Sequence, residues 1–280
     1  MLKGKKIVFI GPGVMAEALL NGVLARAGVA PEDLTVSGPR AERLRELAER
    51  YGVETSTDNR AAIGNAAVVV LCVKPQSLPA VLDGLQGGMP AEALVLSIVA
   101  GARLEDLTRT LGHPAAVRAM PSTPAQIGQG ITVWAATPAA APDQRETARA
   151  MLACLGTEVF AEDEDYLDMA TAVSGTGPAY VFLFMEALVD AGVHLGFPRR
   201  IAEQLVVQTL KGSVAFYETS PSHLARLRNQ VTSPAGTTAA ALYFLEKAGF
   251  RPAISRAVWA AYERSVQLGR GQKRAAVGPE

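Results

Sequence analysis

Lys5-Lys6-Ile7-Val8-Phe9-Ile10-Gly11-Pro12-Gly13-Val14-Met15-Ala16 is the stretch that decides the fold. Its first half reads as a buried strand. The helical run Glu17-Ala18-Leu19-Leu20-Asn21-Gly22-Val23-Leu24-Ala25 follows directly. Between them stands Gly-x-Gly-x-x-Ala, in the strand-to-helix context that makes a weak motif informative. Gly11 permits a tight turn, Gly13 lets backbone approach a pyrophosphate, and Ala16 is the small residue where helix packs on strand. The bare motif is common by chance. At the first strand of an α/β half, dinucleotide binding is the stronger reading. It makes Gly11, Pro12, Gly13, Val14 and Met15 candidate cofactor contacts.

Short β-rich runs alternate with helical patterns through roughly the first 160 residues, which predicts a parallel sheet. The expected strands are Ile7–Ile10, Leu34–Ser37, Val68–Val73, Leu94–Val99, Val117–Met120, Ile131–Ala135 and Glu158–Phe160. Helices are expected between them, as at Glu42–Tyr51 and Asp143–Leu155. After Asp165 the strand signals stop. Apolar helices take over, with breaks expected at Gly175-Thr176-Gly177-Pro178, Gly192, Gly196-Phe197-Pro198 and Ser233-Pro234. The expected fold class is α/β: a Rossmann-like dinucleotide-binding domain over residues 1–163, an all-α substrate and dimerisation domain over 164–270, and a disordered tail over 271–280.

Composition narrows the function. Basic and acidic residues balance at 27 each, so nothing asks for nucleic acid or an anionic membrane surface. No apolar run reads as a bilayer span, the longest being Ala66 to Val73. Met1 leads straight into the first strand with no signal region, and Cys72 and Cys154 show no pairing pattern; both suit a reducing cytoplasm. His113, His194 and His223 have no metal-ligand spacing, so no metal is expected.

Cofactor choice turns on the second strand. An acidic residue at its end would hold the ribose 2′-hydroxyl of NAD. Here the strand ends in Ser37-Gly38-Pro39-Arg40, and Glu32 and Asp33 lie at its wrong end. Ser37 can donate to a 2′-phosphate and Arg40 can pair with it, which favours NADPH, with NADH as the alternative donor. Arg40 could instead be a solvated charge opening the next helix. Three further strand ends carry candidate contacts where ligands gather: Val73-Lys74-Pro75, Ala100-Gly101 and Pro121-Ser122. Lys74 is equally readable as a strand-end charge.

Two features mark the second half. From Pro178, Ala-Tyr-Val-Phe-Leu-Phe-Met-Glu-Ala-Leu-Val is apolar almost all round. Such a helix must be buried on every side. A helical domain of about 110 residues struggles to do that alone, which predicts a subunit interface. Further on, Gln230-Val-Thr-Ser-Pro-Ala-Gly-Thr-Thr238 crowds hydroxyls before the helix former run Ala239–Ala248, closed by Gly249. It reads as an over-capped turn or as an anion-binding helix N-terminus.

Together these stretches resemble pyrroline-5-carboxylate reductases along nearly the whole chain. The resemblance is carried by Val73–Gln76, Ser97–Gly101, Arg118–Ala125, Ser174–Tyr180 and Gln230–Thr238. It departs at Pro12 and Val14 in the phosphate loop, at Ser122 where Asn is common, and at Ala235 where Gly is common. The resemblance implies NAD(P)H-dependent reduction of the C=N bond of 1-pyrroline-5-carboxylate to L-proline. It implies that the helix from Thr237 binds the substrate carboxylate and that Thr238 brings its hydroxyl to the imine nitrogen. Ser174, Gly175, Thr176, Ser233 and Gly236 would line the same pocket. A homodimer or a ring of dimers is the expected assembly.

Two rival readings compete with it. A β-hydroxyacid dehydrogenase needs a base, supplied in that class by a Lys on the linking helix, and no Lys lies between Lys74 and Lys211. A non-catalytic NADP-binding regulator would have no need of the hydroxyl cluster.

Overall fold

Strand β1, Ile7–Ile10, is buried along its whole length, as a strand covered by helices on both faces must be. The computed structural model describes residues 2–269 and sets β1 within an eight-stranded sheet. The others are β2 Leu34–Ser37, β3 Glu54–Ser56, β4 Val68–Leu71, β5 Leu94–Ser97, β6 Ala116–Pro121, β7 Gly130–Ala136 and β8 Gly156–Phe160. Their order is β3-β2-β1-β4-β5-β6-β7-β8. Strands β1 to β6 are all parallel. The strand order reverses direction between β1 and β4, which is where such sheets bind ligands.

Side-chain alternation splits these strands between two cores. Ile7, Phe9, Val68, Val70, Leu94 and Leu96 face helices α1 (Val14–Ala27) and α2 (Ala41–Tyr51). Val8, Ile10, Val69, Leu71 and Val95 pack in a second cluster. Its helical members come from α4 (Leu78–Leu85) and α5 (Leu104–Leu111), which follow the short α3 (Asn59–Ala62). Each fully buried Val, Leu or Ile contributes about 1.5–3 kcal/mol relative to exposure. The second layer makes β1 and β4 apolar on every residue.

Two expectations are corrected. Strand β3 carries no apolar signal: Glu-Thr-Ser forms a short edge strand, and its parallel pairing with β2 defines it. The sheet is also not wholly parallel, because β7 runs antiparallel to β6. Only residues 122–129 separate the two strands, a 3-10 turn over Thr123–Ile127 with Gly128 in the left-handed region. A parallel crossover needs a dozen residues or more, so this link can only reverse the chain. The longer link through α6 (Pro142–Ala153) restores parallel pairing of β7 with β8.

After β8 the chain is helical: α7 Tyr166–Ala170, a π turn Thr171–Gly175, α8 Gly177–His194, α9 Arg199–Glu218, α10 Leu224–Gln230, α11 Thr237–Lys247 and α12 Phe250–Gly269. The break expected at Gly175-Thr176-Gly177-Pro178 takes the form of a widened turn: the π turn ends at Gly175, Thr176 is a bend whose N–H donates to Thr171 O at 2.8 Å, and α8 starts at Gly177. Taken together, Tyr166–His194 is long and apolar enough, by length and composition, to cross a membrane.

Contacts divide the chain into two compact units. One holds the described residues up to Thr176 together with those from Ala260 onward; the other is Gly177–Trp259. Within the second unit the buried apolar core is small, Val189, Ala202 and Val206 with Met185 and Leu210 against them. The predicted tail at 271–280, and residue 270, lie outside the described residues.

Candidate active site

At the end of β1 the backbone turns through Gly11 at φ 103°. A Cβ there would lie 2.9 Å from both Cys72 O and Val73 Cγ1, so only glycine fits. Gly11 N–H donates to Ser37 O at 2.8 Å, and Gly13 N–H donates to Gly11 O at 2.9 Å. Helix α1 begins at Val14 with Gly13 as an extended N-cap and no side chain capping it. The first intrahelical bond runs from Glu17 N–H to Gly13 O. The N–H groups of Val14, Met15 and Ala16 therefore have no acceptor within the helix. They face the loop with the positive end of the helix dipole behind them. This cradle fits a pyrophosphate.

Pro12 is buried. Its ring lies against Gly38, where any side chain would collide with it. Its carbonyl accepts from Arg43 Nε at 3.3 Å. Arg43 also donates to Glu17 and, at 2.9 Å, to Glu46. Glu17 accepts in addition from Arg50 at 2.8 Å and from the Tyr51 hydroxyl at 2.9 Å. Burial alone would raise the Glu17 carboxyl. Hydrogen bonds from Arg43 and Tyr51 and the charges of Arg43 and Arg50 outweigh it and hold the group below its ordinary value. A carboxylate in the first turn of the helix behind this cradle is thereby neutralised.

The other predicted contacts fall on loops at the carboxyl ends of neighbouring strands, with differing availability. Arg40 and Lys74 are exposed, and Val73 and Pro75 are half-buried. Ser37 is fully buried and its hydroxyl donates to Asn59 Oδ1 at 2.7 Å, so its donor is spent within the protein. Ser122 is also buried. Its hydroxyl accepts from Ile131 N–H and its own N–H donates to Ile131 O, both at 3.0 Å, which pins the end of β6 to β7. Pro75, Ala100 and Gly101 border a cavity of about 650 Å³ that continues between α4 and α5 along Leu78, Leu82 and Leu107. Gly101 lies at φ 76°.

Cys72 and Cys154 are inert packing residues, their thiols pushed up by burial, which Arg26 opposes at Cys154. Among the described residues no group of His, Cys, Asp and Glu could hold a metal.

In the helical unit, α11 starts at Thr237 with Gly236 as an extended N-cap, and no side chain caps it. Gly236 N–H donates to Ser233 O at 3.1 Å, and Ala240 N–H makes the first intrahelical bond to Gly236 O. Thr237, Thr238 and Ala239 thus present open N–H groups. Thr232 turns its hydroxyl to Arg228 O at 2.7 Å. Thr238 is half-buried, and Ser233 and Thr237 are exposed. Ala235 is held at φ 58°, where a glycine is the unstrained choice. The capping reading of the hydroxyl cluster is not realised here. Ser174, Gly175 and Thr176 belong to the π turn before α8. Ser174 Oγ donates to Ala170 O and Thr176 Oγ1 to Thr171 O, each at 2.9 Å.

Sequence reasoning missed Arg43, Asn59 and Arg118. Asn59 had a local signal, since Asp58 before it accepts from Arg60 and Ala61 N–H as a helix cap. Arg43 had none, because its partner Pro12 is distant in the chain; Arg118 opened the Arg118–Ala125 stretch but was given no role.

Two family models match. Residues 164–268 match pyrroline-5-carboxylate reductase dimerisation, and residues 6–101 match NADP oxidoreductase, coenzyme F420-dependent. The pyrroline-5-carboxylate reductase of Synechocystis sp. is 44% identical over 261 residues, covering 93% of this chain and 97% of that protein. That of Pseudomonas aeruginosa is 39% identical, covering 94% and 96%. A crystal structure of Plasmodium falciparum pyrroline carboxylate reductase, described with NADP bound, superposes with a TM-score of 0.87 at 31% identity, covering 95% of this chain and 98% of that one. The chain belongs to the pyrroline-5-carboxylate reductase family, NAD(P)H-dependent oxidoreductases that reduce 1-pyrroline-5-carboxylate to L-proline in proline biosynthesis.

Proposed function

We propose that this chain reduces 1-pyrroline-5-carboxylate to L-proline with NADPH preferred over NADH, and that Thr238 is the hydroxyl serving the imine nitrogen. The observation that carries the reading is the start of α11. It has three open N–H groups, no capping side chain, and a half-buried Thr238 beside them. Such a terminus holds a carboxylate without a charged side chain. Bound NADPH supplies the hydride. The protein's share is orientation, because a protonated cyclic imine is already electrophilic.

Residues 1–163 hold the dinucleotide. Gly11, Pro12, Gly13, Val14 and Met15 take the pyrophosphate side and Arg40 the 2′-phosphate, with Val73, Lys74, Pro75, Ala100, Gly101 and Pro121 along the strand ends. Ser37 and Ser122 shape that surface from beneath. Residues 164–270 carry the substrate and dimer functions, with Ser174, Gly175, Thr176, Ser233, Gly236, Thr237 and Thr238 on the substrate side. The assembly is a homodimer or a ring of dimers, located in the cytoplasm.

Thr238→Ala tests the assignment. Loss of a proton-handling contact is expected to lower kcat roughly 10²-fold, and more steeply as pH rises and less imine arrives protonated. Thr238→Ser is expected to keep most activity. Near-normal kcat for Thr238→Ala across pH would move the role to another hydroxyl or to solvent. A kcat/KM for NADH above that for NADPH would refute the cofactor preference.

A further inference from the structure

Arg118 on β6 is 2% exposed, yet it is among the largest fully buried side chains and charged. Its guanidinium donates to Glu164 at 2.9 Å and to Asp168 at 3.1 Å. Asp168 Oδ1 also accepts from Ser265 Oγ of α12 at 2.5 Å. Glu164 Oε1 accepts in turn from Leu104 N–H at 2.9 Å, at the start of α5. Arg118 and two carboxylates, with Arg103 at the rim 3.8 Å from Glu164, thus tie together four pieces of backbone. These are β6, which leads into Pro121-Ser122, the start of α5 just after Ala100-Gly101, helix α7, and α12.

A buried ion cluster of this kind stabilises no more than well-packed apolar residues of the same volume would. Stability alone does not account for it. What it does fix is the run leading into the π turn. Asp168 sits three residues before Thr171, whose carbonyl accepts from both the N–H and the hydroxyl of Thr176. Two residues along β6 from Arg118, Met120 abuts the same turn, so closely that a Cβ on Gly175 would come within 2.9 Å of Met120 Cε. Strand β6 therefore holds the turn at two points, by charge at Asp168 and by packing at Gly175. Wide turns are tolerated only where neighbours hold them.

We infer that Arg118, through Asp168, is a positioning residue for the reaction: it holds the Ser174-Gly175-Thr176 turn in register with the strand-end loops that follow β5 and β6. The inference rests on the reading that this turn serves the substrate. Arg118 is buried with its guanidinium on Glu164 and Asp168, so its part is to position the turn and not to bind substrate or dinucleotide.

Asp168→Asn keeps the side-chain shape, removes the charge that faces Arg118, and leaves Glu164 to pair it; Ser265→Ala removes the third arm alone. In Asp168→Asn of unchanged assembly mass, kcat is expected to fall about 10²-fold, with NADPH Kd from fluorescence titration changed less than about threefold. Hydrogen exchange of the amides at 171–176 is expected to speed up roughly tenfold while β1 and β4 stay protected. Ser265→Ala is expected to move the same readouts in the same direction by less. Arg118→Lys, a point charge without the guanidinium fork, is expected to recover only part of what Arg118→Gln loses. Unchanged exchange at 171–176 in Asp168→Asn overturns the inference directly. Faster exchange at that turn with kcat intact overturns it through the substrate role of the turn. Faster exchange everywhere, with NADPH binding weakened in proportion, would reduce the cluster to a structural one.

Discussion

Phe9 on β1 is fully buried, whereas Phe182 on α8 is 61% exposed in the single chain. The two come from equally apolar stretches, and the difference lies in what each element can pair with. In the sheet unit every central strand has a helix layer on each face, so alternating side chains all find a core. In the Gly177–Trp259 unit, α8 is apolar almost all round in the stretch after Pro178, while only three buried apolar residues close a core there. Leu183, Phe244 and Trp259 remain exposed with Phe182. A soluble monomer does not leave that much apolar surface uncovered. The dimerisation model matched over 164–268 gives the covering partner: another copy of the chain. One unit completes itself, and the other is completed by association.

The contrast breaks most sharply at Phe182. Phe182→Glu would place a carboxylate without a partner in the interface, and burying one costs several kcal/mol. A dissociated or insoluble chain is expected by light scattering, and an unchanged oligomer mass would remove α8 from the interface. Leu96→Ala probes the self-sufficient side. It is expected to lower stability by about 2–5 kcal/mol with oligomer mass retained at fixed protein concentration. A loss of mass there would mean that the two units are not independent in this respect.

Smaller effects sharpen the comparison at the two helix N-termini proposed to hold anions. At α1 the loop holds Pro12, which lacks an N–H. Pro12→Ala is expected to tighten NADPH binding by up to about 1.5–3 kcal/mol, read by titration; unchanged or weaker binding would show that the loop does not use that amide. At α11 the loop holds Ala235 in the left-handed region. Ala235→Gly is expected to raise stability by about 0.5–1 kcal/mol, strain relief partly offset by the freer unfolded chain. A lowered denaturation midpoint would mean that the Ala235 methyl makes contacts worth more than its strain.

Much of the fold was legible because its signals are local. Ile7–Ile10, the Gly-x-Gly-x-x-Ala turn and the start of α1 lie within a dozen residues, and steric rules fix each. The start of α11 after Gly236 was legible for the same reason. The misses share the opposite property. β3 exists through its partner β2, and β7 reverses because its link to β6 is short. In the site, Arg43 reaches Pro12 across 31 positions, and Asp168 meets Arg118 across 50 and Ser265 across 97. No spacing in the chain announces such pairs.

Ser37 and Thr238 show where the line falls. By itself the sequence determined which residues could bond: a hydroxyl at the end of β2, a hydroxyl at the head of α11, glycines where backbone must turn, and an apolar helix too large to hide. Residue type and local spacing fix all of these, because chirality, sterics and helix ends act over a few residues. Only the tertiary structure decided which of those groups are spent. It gave the donor of Ser37 to Asn59 and left α11 without a capping side chain. It also buried Arg118 between two carboxylates. A donor's availability depends on the acceptor that packing brings to it, and packing joins residues that the sequence keeps far apart.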